Sequence, residues 1–144
     1  MDLLLILHGC IILLISQVAG YAFFFALRGK KPEVPGERTA AERWRMSHAA
    51  CSAGAVFLLV LGPIAPHLRL EAAAARWLDG LLIVSTYGLC LGTVVAGFSG
   101  HRGMTPRGPW PAVLANIFYI IGVLGSTAGG LLLMYGAWGA FRGT

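Results

Sequence analysis

Trp44-Arg45-Met46-Ser47-His48-Ala49-Ala50-Cys51-Ser52 passes from a charged approach into an apolar run. Just before it, Thr39-Ala40-Ala41-Glu42 has the form of a capping box, in which the Thr39 hydroxyl caps the first turn and Glu42 reaches back. A helix begun there runs through His48 to about Leu61 and stops at Gly62-Pro63. Its length of about 22 residues is roughly 33 Å at ~1.5 Å per residue, enough to cross a hydrocarbon core. The long side chains of Arg43 and Arg45 can reach back to the headgroups. The stretch therefore sets a histidine just inside the edge of a bilayer.

Three further stretches read the same way. Leu3–Leu27, Gly80–Phe98 and Pro111–Phe141 contain no Asp, Glu, Lys or Arg, and neither does Met46–Leu61. The chain of 144 residues is 57% hydrophobic and 12% charged. A soluble domain carries about 25% charged residues, so the deficit points to lipid. The apolar runs are continuous rather than alternating, which argues against a β-barrel. The expected fold is all-α, an integral membrane four-helix bundle. It forms a single domain over residues 1–144, with helices at about 3–27, 40–61, 75–98 and 111–141. The first segment begins Met1-Asp2 with no basic leader and runs too long for a cleaved signal, so it is expected to stay as a helix.

The net charge of +5 is not a nucleic-acid signature, because the basic residues sit in loops. Six of the eleven Lys and Arg fall between Arg28 and Arg45, and Arg102 and Arg107 lie in the third loop. The second loop and the C-terminus hold Arg69, Arg76 and Arg142. The positive-inside bias then puts the first and third loops in the cytoplasm and both termini outside.

Cys10, Cys51 and Cys90 all fall within the helices, and three membrane-buried cysteines make no disulfide framework. They read as small packing residues. His8, Ser16 and Gln17 interrupt the otherwise apolar first helix, and His8 and Gln17 are expected to face protein rather than lipid. Small residues form stripes at Gly88, Gly92 and Ala96, at Gly122, Ser126 and Gly130, and at Gly125 and Gly129. Such stripes allow close helix contact, within one chain or between chains.

Of four histidines, His67 and His101 lie in loops. Antiparallel threading puts His8 near the outer end of the first helix and His48 near the inner end of the second, about 20 Å apart along the normal. Two axial ligands of one metal stand only about 4 Å apart, each at the ~2 Å metal–nitrogen distance. His8 and His48 of one chain cannot share a metal. The simplest metal site is one axial histidine, His48, with the opposite position open, a geometry suited to ligand binding or Lewis-acid work. A bis-histidine site would need His101 or a neighbouring chain. The bland reading of His48 is an interhelical hydrogen bond. Cys51 and Ser52 lie one turn from it, and Tyr21, Cys90, Thr93, Asn116 and Tyr119 fall at similar depth. No phosphate-binding loop, dinucleotide fingerprint, Cys-x-x-Cys, His-Glu-x-x-His or Gly-x-Ser-x-Gly occurs.

Three stretches resemble the styrene oxide isomerase family of small four-helix membrane enzymes. They are His8-Gly9 before an apolar run, Trp44-Arg45-Met46-Ser47-His48 beside the family's Trp-Ala-Arg-Ala-His, and Phe98-Ser99-Gly100-His101-Arg102-Gly103-Met104-Thr105 beside its Phe-Ser-Pro-Asn-Arg-Gly-Leu-Thr. The distance from His48 to Arg102 matches without a gap. Tyr119-Ile120-Ile121-Gly122-Val123-Leu124 is similar to the family's Tyr-Leu-Phe-Gly-Val-Leu.

The resemblance implies a homotrimer in the bacterial inner membrane, holding haem b near subunit interfaces. His48 would be the axial ligand of the iron, with Cys51, Ser52 and Arg102 as further cofactor-binding candidates. Thr93, Asn116 and Tyr119 are the candidates for catalysis. The implied reaction is a Meinwald rearrangement, in which ferric haem acts as Lewis acid on a small hydrophobic epoxide and an aldehyde forms with no net redox. The family's pocket tyrosine, pocket asparagine and third-helix aspartate fall here at Thr93, Gly54 and Ser85. Two other readings stand beside this one. The first is a non-catalytic haem protein serving electron transfer, sensing or haem handling. The second is a structural subunit in which His48 is only interhelical glue.

Overall fold

The computed structural model describes residues 2–29, 39–101 and 103–143. Four helices follow in order: α1 (Leu3–Arg28), α2 (Ala40–Ile64), α3 (Ala72–Ser99) and α4 (Trp110–Arg142). Each is long and apolar enough to cross a membrane, so the chain is a multi-pass membrane protein.

The local signals act as read. The Thr39 hydroxyl accepts from the Glu42 N–H at 3.1 Å, and the Glu42 carboxylate accepts from the Thr39 N–H at 3.0 Å. Asp2 caps α1, its carboxylate accepting from the N–H groups of Leu4 and Leu5. Two boundaries differ: α3 begins at Ala72, three residues before the expected start, and the end of α2 also moves. α2 does not stop at Gly62-Pro63 but runs through Pro63 to Ile64 and into a short 3-10 turn, Ala65–His67. A proline so near the end costs the helix little. The Gly62 carbonyl is also taken up by the Asp2 N–H at 2.7 Å, which ties the start of α1 to the end of α2.

The helices do not form a square. α1 packs along α2 and α3 along α4, while a narrower seam joins α2 to α3. α1 touches α3 only lightly, and α4 is attached essentially through α3. Two buried clusters fill the α1–α2–α3 side. Leu5, Leu58, Leu61, Leu78 and Leu82 form one, and Ile12, Cys51, Ala55 and Cys90 the other. Cys51 and Cys90 are thus core packing residues, while Cys10 is exposed.

Glycine makes the α3–α4 contact. A Cβ on Gly88 would lie 2.8 Å from the Phe118 carbonyl and the Gly122 nitrogen. Gly125 faces Ser85, and Gly129 faces Leu81 and Leu82. The intramolecular stripe is therefore Gly122, Gly125 and Gly129. Ser126 and Gly130 fall on the opposite side, where nothing lies within 4 Å of a Gly130 Cβ. Within the single chain Gln17 faces outward. The protein-facing stripe of α1 is Leu5, Gly9, Ile12, Ser16 and Ala19, and Gln17, about 100° on from Ser16, is exposed.

Candidate functional site

The site is set by the direction of two adjacent residues on α2. Ser47 is fully buried and points at α3, where its hydroxyl donates to the Thr93 carbonyl at 2.7 Å. His48, about 100° further round the helix, turns toward α1 and is half-buried. Its Nδ1 lies 2.9 Å from the main-chain oxygen of Ser16 and 3.1 Å from the Ser16 hydroxyl. A carbonyl only accepts, so Nδ1 carries the proton and donates it. Nε2 is left without a hydrogen-bond partner among the described residues.

The arrangement is built from pairs four residues apart on facing helices. The Ser16 hydroxyl lies 3.1 Å from the His48 carbonyl, to which it donates, and 2.6 Å from the Ser52 hydroxyl. Gly20, one turn on from Ser16, leaves the room that the ring occupies. A Cβ there would stand 3.1 Å from Nδ1 and 3.2 Å from Cε1. Ser16 is fully buried and Gly20 half-buried. Neither was a candidate from sequence. The available signal was their spacing of four on α1, matching His48 and Ser52 on α2.

The other candidates separate. Ser52 joins His48 through Ser16. Cys51 instead faces the core with Ile12, Ala55 and Cys90. The Thr93 hydroxyl donates to the Cys90 carbonyl in its own helix, at 2.8 Å. Asn116 donates from its side-chain amide to the Gly103 carbonyl at 2.9 Å, pinning the third loop to α4. Gly103 takes a positive φ of 64° and presses on Ala115, where a side chain would collide. The Tyr119 ring lies over Gly92 of α3. Tyr119 and Asn116 therefore belong to the α4 side, Thr93 lies on the α2–α3 seam where Ser47 reaches its carbonyl, and His48 faces α1. Tyr21 is exposed, and Arg102 lies outside the described residues.

At the positions of the family's pocket residues the helices close up. A Cβ on Gly54 would stand 2.7 Å from the Thr86 methyl, and Ser85 packs on Gly125 with its hydroxyl turned to the Leu82 carbonyl. A second polar contact sits nearer the other end of α1. His8 Nδ1 lies 3.1 Å from the Tyr87 hydroxyl, with the rings edge to face. The His48 ring spans Ser16 to Gly20, so His8 is eight to twelve residues away on α1, or roughly 12–18 Å.

Among the described residues no three His, Cys, Asp or Glu side chains gather as a metal cage. A single imidazole with a bare Nε2 suits a metal that arrives with its other ligands in place. Nδ1 bound to an acceptor is the usual arrangement behind such a ligand.

The sequence pattern of one family, styrene oxide isomerase, matches residues 1–138. Among curated proteins none gives a significant match. The match runs from α1 through nearly all of α4 and takes in both His48 and the third loop. On that extent, the chain belongs to the styrene oxide isomerase family.

Proposed function

We propose that this chain is a haem b-dependent membrane isomerase that converts a small hydrophobic epoxide to an aldehyde. The observation that carries the reading is the His48 imidazole, with Nδ1–H spent on the Ser16 carbonyl and Nε2 left bare. Ferric haem, when bound, would supply a Lewis acid for the epoxide oxygen. His48 would hold it through Nε2, with Ser52 acting through Ser16 and with Gly20 leaving space for the ring. The surrounding helix faces are apolar, which supports the chemistry. An opening epoxide develops carbocation character, and water at that carbon would give a diol instead of an aldehyde.

Tyr119 is the phenol we assign to the substrate side, with Thr93 beside its ring contact on α3 and Asn116 holding the third loop. We assign Arg102 to the cofactor as its cationic partner. The functional unit we propose is a homotrimer with haem near subunit interfaces. Two features support it: α4 packs mainly on α3, and its Ser126–Gly130 side is uncovered. We place the first and third loops, rich in Arg and Lys, in the cytoplasm of a bacterial inner membrane.

The test is the visible spectrum of the detergent-purified protein, followed by an aryl epoxide assay. The expected result is a Soret band with an open or weakly filled sixth position, and aldehyde as product. His48→Ala should lose the band while remaining helical and membrane-inserted. Retained haem in that variant would remove His48 as ligand. A bis-histidine spectrum with no isomerisation would move the protein to the electron-transfer reading.

A further inference from the structure

We propose that Ser16 is the positioning residue of the His48 imidazole. It would act from α1 through its main-chain oxygen and hydroxyl together, and so set the electron donation of Nε2 to a bound iron. The inference rests on the reading of His48 as iron ligand.

The argument starts from cost. Ser16 is fully buried in a membrane protein, where a hydroxyl without partners is expensive and alanine would pack as well. The hydroxyl is instead fully used. It meets Nδ1 at 3.1 Å, the His48 carbonyl at 3.1 Å and the Ser52 hydroxyl at 2.6 Å. Its single proton goes to the carbonyl, which is an acceptor only. The Ser52 proton then serves the Ser16 oxygen, and the lone pairs left on that oxygen face Nδ1–H. Nδ1–H is thereby shared between two oxygens of one residue, the carbonyl at 2.9 Å and the hydroxyl at 3.1 Å.

Two consequences follow. The ring can neither flip nor change tautomer without abandoning both acceptors, so Nε2 has one direction. The acceptors are also neutral. A carboxylate at Nδ1 would pull the proton and make the imidazole strongly basic, whereas a carbonyl and a hydroxyl raise its basicity only moderately. That suits an iron that must remain electron-poor enough to take an oxygen lone pair.

The experiment uses the full chain purified with haem, in four forms: unchanged, Ser16→Ala, Ser16→Thr and Ser52→Ala. The readouts are the iron–histidine stretching frequency of the ferrous protein, the reduction midpoint and the rate of haem transfer to excess apomyoglobin. Ser16→Ala should keep one haem per chain but lower the stretching frequency and raise the midpoint. It should also release haem roughly tenfold faster, the usual scale for losing an outer partner of a metal ligand. Ser16→Thr should restore all three, and Ser52→Ala, which removes a donor competing for the Ser16 oxygen, should shift frequency and midpoint less and in the opposite direction. Unchanged frequency and midpoint in Ser16→Ala, with helicity retained, would overturn the proposal and leave Ser16 as interhelical glue. Should Ser16→Ala fail to fold, the Ser52→Ala shift decides in its place. An unchanged chain that takes up no haem, or a His48→Ala chain that keeps it, overturns the underlying ligand assignment and the proposal with it.

Discussion

The imidazole of His48 fills the space where a side chain on Gly20 would be, with Nδ1 3.1 Å and Cε1 3.2 Å from the site of a Cβ. A glycine on one helix thus sets how closely a ring on the next can approach. Gly20→Ala needs a shift of only a few tenths of an ångström and should weaken haem retention slightly. Gly20→Val cannot be accommodated without turning the ring. It should lower haem affinity about tenfold, the scale seen when a ligand loses its orienting contacts. Soret absorbance per protein during haem titration measures both.

The α3–α4 seam makes a paired prediction. A methyl on Gly88 meets the Phe118 carbonyl and the Gly122 nitrogen, neither of which can swing aside. Gly88→Ala should cost about 1–3 kcal/mol, the range for overpacking. Gly130→Ala, with open space around it, should stay within about 0.5 kcal/mol in the single chain. Reversible unfolding in mixed micelles compares the two.

Tyr87→Phe removes the hydroxyl that meets His8 at 3.1 Å and leaves the edge-to-face ring contact. Interhelical hydrogen bonds in membranes average about 0.6 kcal/mol, and the loss should be of that size. The haem spectrum should not move, because His8 lies at least eight residues along α1 from the ring of His48. A shifted Soret band would place Tyr87 nearer the cofactor than the helix spacing allows.

Gln17 presents an amide on the outer face of α1, in a stretch of helix otherwise apolar. An intramembrane amide is retained where something satisfies it. Gln17→Leu should leave the helical content unchanged and weaken assembly between chains. Chemical crosslinking and native mass measurement across a detergent series report the shift toward monomer. An unchanged oligomer would mean that lipid or the helix's own carbonyls satisfy the amide.

Much of this was legible in the chain. Four charge-free stretches fixed the spans, and the Thr39–Glu42 box fixed the start of α2. Its far end was misjudged because a proline in the last turn reads like a stop, while the Asp2 contact that supports it comes from elsewhere in the chain. His48 stood out because a histidine within a bilayer needs a reason. Ser16 and Gly20 did not, since small residues are common on membrane helices and nothing in one helix says which neighbour they meet. Gln17 points out of the single chain because the phase of Ile12, Ser16 and Ala19, not polarity, sets the face that α1 turns inward. The stripes on α4 were sorted at spacing four, whereas the real contact runs 122, 125, 129 and mixes three with four.

The pairing of α1 with α2 and α3 with α4 has a bearing on how the protein is made. As the chain leaves the ribosome, each hairpin can be inserted and zipped with contacts close in sequence, the fast kind. The narrow α2–α3 seam and the lighter α1–α3 contact must then be found by two preassembled halves within the plane of the membrane. The histidine and its serine clamp lie wholly in the first half, so that arrangement can form before the second half exists. On the proposed reading, haem binding would still await the second half, which supplies Arg102 and the faces that meet other subunits.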